Sequence, residues 1–322
     1  MRFVVAVLLF TTLQVANAQP DPSSNYPARP IRMLCGFSAG GGSDFAARIV
    51  GAQLTQLLGQ SVVIDNRTGA NGAIAAEITA RAPADGYTLM MLAVAQATGS
   101  VYNTKLPFDL LRDFTAVSQA TQQPYLVVIT PSLPARTLAE FIAYAKTRPG
   151  QLSYASTGIG GSNHLAGELF SRAAGVSMLH VAYKGPPPAL ADVIGGQVQF
   201  MISSIQVSLP LARGGKLRAL AVTSNKRASV APDIPVAADT LPGFELAGWY
   251  GVLAPGATPR GIVDKLGASI HRGMQAPEIK ARVAADGSEA VGSLPKEFDR
   301  FLRSEMARFA KVIKDAGIKP GE

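Results

Sequence analysis

Short apolar segments alternate with longer amphipathic segments along most of this chain, and the alternation limits the folds it can adopt. Residues 31–35 and 61–65 are apolar runs of strand length, whereas residues 45–58 and 73–82 repeat apolar side chains at helical spacing. Alternating strands and helices are typical of α/β proteins with a largely parallel sheet, because each helix returns the chain to begin the next strand. We therefore expect an α/β fold.

The alternation starts again in the middle of the chain, which suggests a second lobe. Two apolar segments, residues 125–130 and 249–253, bracket a block that has strand and helix candidates of its own. This layout predicts a two-lobed protein whose hinge consists of two crossing strands and can close over a ligand. We expect lobe 1 to comprise residues 26–125 and 250–322, and lobe 2 to comprise residues 126–249. Periodicity alone also allows one large sheet.

Two glycine-rich segments lie between a predicted strand and a predicted helix, one in each lobe. Glycine lets backbone N–H groups approach a ligand, and the helix N-terminus behind each segment adds free donors and partial positive charge. We therefore expect the two segments to clamp an anion. The candidate residues are Phe37, Ser38, Ala39, Gly40, Gly41, Gly42 and Ser43 in the first segment, and Ser156, Thr157, Gly158 and His164 in the second.

Polar side chains at these helix starts also have simpler roles. Ser43 or Asp44, and Ser162 or Asn163, are suitable helix N-caps. Asp44 would repel an anion, so we expect it to support the loop rather than contact a solute. His164 could donate to a bound anion or be satisfied within the helix start.

An α/β-hydrolase is the alternative interpretation of the first segment. Residues 36–40 match the Gly-x-Ser-x-Gly pattern around a nucleophilic serine, here Ser38, and all three histidines lie downstream (His164, His180 and His271). Against this interpretation, the pattern follows the first predicted strand, residues 31–35. In a hydrolase, the turn that carries the nucleophile follows several strands of the central sheet. No oxyanion-loop segment precedes it either.

The sequence contains no signature of a nucleotide or metal site. No Gly-Lys is followed by Ser or Thr, and neither glycine-rich segment has the three glycines of a dinucleotide fingerprint at the required offsets. The histidines are far apart, and no carboxylate cluster has ligand spacing. We therefore expect no cofactor, no metal and no catalytic residue.

The N-terminus indicates export. Arg2 precedes an apolar run at residues 3–13, and the small residues at 16–18 fit a signal-peptidase site. An anchor helix is the alternative, but the run is too short to span a bilayer. Removing 18 residues from 322 leaves 304, enough for two lobes. Cys35 is the only cysteine, which excludes an intramolecular disulfide; within its apolar run we expect a buried thiol.

The formal net charge of +8 does not indicate nucleic-acid binding. Its Lys and Arg residues are dispersed, and the densest spots are pairs such as Lys226 and Arg227 without interleaved aromatic residues. A generally positive field that attracts anions fits this distribution better, and simple solubility is the alternative.

An ordered set of motifs extends over essentially the whole mature chain. They are YPARPIR at 26–32, GGGSD at 40–44, DNRTGANG at 65–72, DGYTL at 85–89, YAS at 154–156, HLAGELF at 164–170, YKG at 183–185, GGQV at 195–198, LAVT at 220–223 and WYG at 249–251. In this order they resemble the Bug-type receptors of tripartite tricarboxylate transporters.

The resemblance implies a periplasmic solute-binding protein of the Venus-flytrap kind. It implies two α/β lobes, a small organic acid or related solute held in the cleft between them, and delivery of that solute to a membrane permease of the tripartite tricarboxylate type. Many members bind carboxylates or amides through backbone groups and bridging waters rather than through a dedicated arginine.

The chain departs from the family pattern at informative positions. Gly36 and Ala39 stand where members usually have prolines, which produces much of the hydrolase-like pattern. Ser203 stands where many members have an aspartate, and Ser204 follows it. We include both serines in the candidate site. Loss of the carboxylate should disfavour amino or cationic solutes and favour anionic or neutral ones.

The export hypothesis predicts that the mature protein begins at Gln19. Intact-mass measurement of the protein purified from the periplasm should give the mass of residues 19–322. A protein that retains residues 1–18 would contradict the hypothesis.

Overall fold

The computed structural model describes residues 23–103, 105–183 and 185–315, which form ten strands and ten α-helices. The strands are β1 (Ile31–Cys35), β2 (Val62–Asn66), β3 (Thr88–Ala93), β4 (Phe114–Ile129), β5 (Ser153–Ser156), β6 (Leu179–Ala182), β7 (Phe200–Ser204), β8 (Arg218–Val222), β9 (Ala247–Pro255) and β10 (Glu289–Ala290). The predicted signal peptide, residues 1–18, lies outside the described residues. In the part of the chain that is described, no helix is both long and apolar enough to cross a membrane.

The helices cover both faces of the sheets. They are α1 (Gly42–Leu58), α2 (Ala73–Ala80), α3 (Val94–Tyr102), α4 (Leu138–Lys146), α5 (Ser162–Ala174), α6 (Pro186–Ile194), α7 (Ile205–Arg213), α8 (Arg260–Met274), α9 (Pro277–Ala285) and α10 (Pro295–Asp315). The prediction of an α/β fold is therefore confirmed.

The strands follow the order β2-β1-β3-β9-β4-β7-β5-β6, and β8 and β10 also pair with β4. At one end, β1 runs parallel to β2 and β3; at the other, β5 runs parallel to β6 and β7. In the middle, β9 and β4 are antiparallel to their neighbours. Two parallel α/β units are thus joined through an antiparallel centre.

The 16-residue strand β4 belongs to both units. Residues 114–124 pair with β9, whereas residues 125–129 pair with β7 and β8, so the partners change between Pro124 and Tyr125. Proline has no backbone N–H to donate to a ladder, which suits a position where one set of pairs ends. We propose that this change marks the boundary of lobe 1 (residues 26–125 and 250–322) with lobe 2 (residues 126–249).

Each lobe has a hydrophobic core of its own, and next to the hinge a residue of lobe 2 packs into an apolar cluster of lobe 1. In lobe 2, the Phe200 ring lies 5.1 Å from that of Phe141 and 4.6 Å from that of Phe170. Leu165, at the start of α5, instead joins an apolar cluster with Trp249 of β9 and residues of α10. Burial of this leucine therefore depends on contact between the lobes.

A buried threonine ties together the two connections at the hinge. The hydroxyl of Thr223, just after β8, accepts a hydrogen bond from the Tyr125 N–H (2.9 Å) and donates one to the Leu246 carbonyl (2.6 Å). The Thr223 N–H donates to the Tyr125 carbonyl, and the Leu246 N–H donates to the Thr223 carbonyl, both at 3.0 Å. One residue thus links β4 to the segment that enters β9.

The sequence analysis missed helices α3 and α7, the first half of β4 and the two-residue strand β10. Helices α3 and α7 lack a clear helical repeat, because α3 is short and contains Gly99 and α7 contains Pro210. The first half of β4 contains buried Ser, Thr and Gln side chains, so it does not form an apolar run. In this half, Ser118 Oγ donates to the Ser293 carbonyl, whereas Gln119 Nε2 and Gln123 Oε1 are buried without a hydrogen-bond partner among the described residues.

We predict that Thr223→Val destabilises the protein by about 2 kcal/mol, because buried groups of Tyr125 and Leu246 lose their partner. Urea denaturation would measure the change in the free energy of unfolding. The matched control is Thr79→Val, since Thr79 is equally buried but donates only to the Ala75 carbonyl within its own helix. We expect the control to cost less than about 1 kcal/mol, and equal losses in both variants would contradict the hinge role.

Candidate functional site

A cavity of about 340 Å³ lies between the two lobes. Its lobe 1 side comes from the first glycine-rich loop and the start of α3, and its lobe 2 side comes from the second loop and the β7–α7 junction. The lining residues are Phe37, Ser38, Gly41, Gly42, Ser43, Ala93, Val94, Ala95, Gln123, Tyr125, Thr157, Ser162, Asn163, Pro186, Met201, Ser203, Ser204, Val207 and Tyr250. This is the size of site that holds a small organic molecule.

Five helices begin at this cavity, and four of them can offer first-turn N–H groups, since α6 starts with three prolines, which have none. Helices α1 and α3 in lobe 1, and α5 and α7 in lobe 2, all contribute first-turn or N-cap residues to the lining. In none of the four does the N-cap side chain bond to the first turn; at α3, the Gln96 side chain accepts from the N–H of the N-cap residue Ala93 at 2.9 Å. The first-turn N–H groups have no partner inside a helix, so these ends supply free donors and partial positive charge to the cavity.

Partly buried hydrogen bonds hold the first loop in place. Gly40 has a φ of +80°, and its N–H donates to Asp44 Oδ2 at 3.0 Å. The same carboxylate accepts from Arg48 Nε (2.8 Å) and from Asn66 Nδ2 (3.0 Å). Burial alone would raise the pKa of Asp44, but these hydrogen bonds outweigh it and lower the pKa. Asp44 therefore supports the loop, as its charge led us to expect.

The start of α1 is in close contact with the hinge strand β9. A Cβ atom on Gly42 would lie 2.5 Å from the hydroxyl oxygen of Tyr250, so only glycine fits there. Ser43 does not cap the helix; its Oγ lies 3.0 Å from Sγ of the buried Cys35. Gly41 is the N-cap, and its extended backbone (φ −83°, ψ 169°) is open to other residues.

The second loop is fixed by hydrogen bonds among its own side chains and with the backbone of lobe 2. Asn163 accepts from Thr157 Oγ1 at 2.9 Å and donates to the Ile202 carbonyl at 2.6 Å, which ties the loop to β7. His164 Nδ1 accepts from the Gly160 N–H at 3.1 Å. These bonds aim the start of α5 at the cavity.

Two stacked histidines lie behind the second loop. The His164 and His180 rings are 3.9 Å apart, and His180 Nε2 lies 2.7 Å from Ser156 Oγ. Burial lowers the pKa of both rings, that of His180 to about 4 with the neighbouring His164 acting in the same direction. Both imidazoles are therefore neutral near pH 7 and serve as packing groups.

Three polar side chains of the hinge strands form the floor of the cavity. Tyr125 of β4 hydrogen bonds to Ser162 at the start of α5, and burial raises the pKa of Tyr125 to about 12. Tyr250 of β9 hydrogen bonds to Gln123 of β4, and burial raises the pKa of Tyr250 well above its usual range. Both phenols remain protonated and can donate. The floor thus connects the start of α5 to β4 and joins the two hinge strands to each other.

No charged side chain lines the cavity among the described residues; Lys184 lies outside them. The remaining lining is neutral and partly apolar, with Val94, Pro186, Met201 and Val207 next to the serine hydroxyls of β7 and α7. Backbone N–H groups, hydroxyls and helix ends are therefore the groups available to hold an anion.

The structure brings eight of the predicted site residues to the cavity, and the others lie beside or behind it. Lining it are Phe37, Ser38, Gly41, Gly42, Ser43, Thr157, Ser203 and Ser204. Ala39, Gly40, Ser156, Gly158 and His164 are not in the lining, and their contact with a solute remains a prediction. Sequence analysis missed Gln123, Tyr125, Tyr250 and the starts of α3 and α7; the WYG motif at 249–251 was the one available signal.

The geometry does not support the hydrolase alternative. Ser38 has no left-handed backbone conformation, and none of the hydrogen bonds among the described residues joins it to a histidine. His271, the third histidine, contacts the Gly292 carbonyl in lobe 1 at 2.7 Å. Within the described residues, no group of three or more His, Cys, Asp or Glu side chains could hold a metal ion.

Comparison with known proteins identifies a receptor family. A family model described as the tripartite tricarboxylate transporter family receptor matches residues 46–318. Protein BugT of Bordetella pertussis is 34% identical over 322 residues, covering 99% of each chain.

Solved structures agree with the sequence matches. An R. palustris protein with adipate is 37% identical, with a TM-score of 0.83 over 92% of this chain and 99% of the other. MatC from Rhodopseudomonas palustris with bound malate is 31% identical, with a TM-score of 0.77 over 89% of this chain and 100% of the other. With a two-lobed fold, an interlobe cavity and matches over nearly its whole length, the chain belongs to the periplasmic solute-binding receptors of the tripartite tricarboxylate transporter family.

Proposed function

We propose that this receptor is exported to the periplasm, closes on a small organic carboxylate and presents it to a membrane permease of the tripartite tricarboxylate type. The observation that carries the proposal is the convergence of four helix N-termini, two from each lobe, on one neutral cavity, with no N-cap side chain bonded to their first-turn N–H groups. A carboxylate satisfies such donors from both lobes at once and therefore stabilises the closed arrangement.

The available donors are sufficient for useful affinity. Micromolar binding needs about 8 kcal/mol. Each hydrogen bond to a charged group contributes about 1.5–3 kcal/mol, and each helix N-terminus adds about 0.3–1 kcal/mol. Four or five such bonds can supply the free energy of micromolar binding even after the entropic cost of ordering the loops and the solute is subtracted. No cationic side chain is needed.

The cavity also limits the class of solute. Relatives with adipate and with malate, both small dicarboxylates, make these two acids the first probes. Ser203, where many members have an aspartate, removes a partner for an amino group and supports a purely anionic solute. Met201 and Val207 give the solute an apolar surface to contact.

We propose that the protein has no enzymatic activity. Ser38 has no histidine partner among the described hydrogen bonds, and the two buried histidines of lobe 2 are held by Gly160 and Ser156. The lining offers donors that hold a carboxylate but no general base aligned with a nucleophile.

We predict that Gly41→Val weakens solute binding by about 2 kcal/mol or more, the value of one or two hydrogen bonds to a charged group. The backbone of Gly41 is compatible with valine, and the nearest atom to an added Cβ is the Ser38 carbonyl oxygen at 3.4 Å, so the fold should tolerate the change. The isopropyl group would instead occupy the cavity beside the first-turn N–H groups of α1. Calorimetry with the best carboxylate from a thermal-shift screen would measure the loss.

Ser38→Ala is the matched control in the same loop, because it removes one hydroxyl and leaves the backbone donors intact. We expect it to cost less than about 1.5 kcal/mol, with folding of both variants checked by circular dichroism. Normal binding by Gly41→Val together with loss of binding in Ser38→Ala would contradict the backbone clamp.

We predict that a saturating solute reduces the radius of gyration, because closure brings the lobes together around the hinge. Small-angle scattering of the protein with and without the solute would measure the change. An unchanged radius, in a protein shown to be open when empty, would contradict closure.

A further inference from the structure

The first turn of α7 contacts both the cavity and lobe 1. Ser204 and Val207 line the cavity on one side of this turn. Ile205 and Gln206, which lie between them in sequence, contact residues 286–288 of lobe 1, the turn that connects α9 to β10. A solute that contacts α7 therefore contacts an element that already bridges the lobes.

Two hydrogen bonds cross the lobes at this point. Gln206 Nε2 donates to Ser288 Oγ at 3.0 Å, and the same side chain hydrogen bonds to the Asp286 carboxylate. Burial raises the pKa of Asp286, and the hydrogen bond from Gln206 acts in the opposite direction. The amide of Gln206 thus supplies a partner to two groups of the opposite lobe.

Close packing accompanies these hydrogen bonds. Gly287 has a φ of +80°, and an added Cβ would lie 2.9 Å from Ile205 Cγ2 and 3.2 Å from Val230 Cγ2. The backbone of Gly287 therefore lies directly against lobe 2. We call Gln206, Asp286, Gly287 and Ser288 the interlobe latch.

The lobe 1 side of the latch is anchored to the hinge itself. Immediately after it, β10 pairs with β4, with Glu289 opposite Gln122. Glu289 also accepts hydrogen bonds from Gln122 Nε2 and from Lys226 Nζ of lobe 2, each at 3.1 Å. Because residues 286–288 are held against β4, rotation of lobe 2 about the hinge must change the distance between Gln206 and Ser288.

We propose that Gln206 is a positioning residue that couples the solute cavity to the arrangement of the lobes, and that the latch favours the arrangement in which the cavity is complete. The inference rests on the proposed function, since it concerns regulation of the same site. The apparent dissociation constant equals the intrinsic constant divided by the fraction of competent protein, so weakening the latch weakens binding without touching a lining residue.

The test compares two glutamine-to-methionine variants of nearly equal size. Gln206→Met removes the interlobe hydrogen bonds. Gln275→Met is the control, because Gln275 Nε2 donates to the Val291 carbonyl within lobe 1, at 3.0 Å. With adipate and malate as calorimetric probes, we expect the dissociation constant to rise about 3- to 10-fold in Gln206→Met, as the competent fraction falls, and to stay within about 1.5-fold in Gln275→Met.

A double-mutant cycle distinguishes loss of the interlobe latch from general destabilisation of the protein. Ser288→Ala should have a smaller effect than Gln206→Met, since the bond to Asp286 remains, and the double variant should bind no more weakly than Gln206→Met alone. Scattering of the solute-free proteins should show a larger radius of gyration for Gln206→Met than for wild type or Gln275→Met.

The outcomes distinguish the two hypotheses. Failure of wild type to bind any carboxylate would overturn the proposed function, and scattering of the solute-free proteins would still decide whether the latch holds the lobes. If wild type binds a probe, unchanged affinity in Gln206→Met, or an equal loss in Gln275→Met, overturns the coupling.

Discussion

The pairing of β4 with two different sets of strands is the constraint on which the rest of the structure depends. One continuous strand, β4, is part of both sheets. Each lobe can therefore form its own parallel α/β unit while β4 connects the two units. The change of partners at Pro124 and Tyr125 coincides with the two β4 side chains that line the interlobe cavity, Gln123 and Tyr125, so the same residues form the hinge and the floor of the cavity. Thr223 then fixes the second connection beside the first.

Among its described lining residues, the interlobe cavity has no charged side chain. Parallel α/β units place helix N-termini at the carboxyl ends of their strands, and the antiparallel centre makes two such edges face each other. The resulting field comes from fixed backbone dipoles, which cost no reorganisation when the lobes close. The phenols of Tyr125 and Tyr250 stay protonated because they are buried, so the floor remains a source of donors rather than of negative charge.

Much of the fold could be predicted, since long apolar repeats such as those of α1 and α10 and apolar strands such as β1 and β3 carry strong periodic signals. The polar half of β4 could not be predicted, because the buried Ser118 hydroxyl and Gln119 backbone N–H bond to Ser293, a residue distant in sequence. Helices α3 and α7 were also missed, although both begin at the cavity. Their helical state is set by packing between sheet and cleft rather than by their own residues.

The sequence by itself determined the α/β class, the two glycine-rich helix starts and, through its ordered motifs, the family. It also indicated that Asp44 supports a loop, since a carboxylate facing an anion would be repelled. Tertiary structure alone decided that Gly42 must be glycine, that His164 packs against His180, and that Gln206 reaches the opposite lobe. A local sequence pattern indicates which helix or strand a segment can form. The contacts of Gly42, His164 and Gln206 join residues that are distant in sequence and meet only in the folded protein.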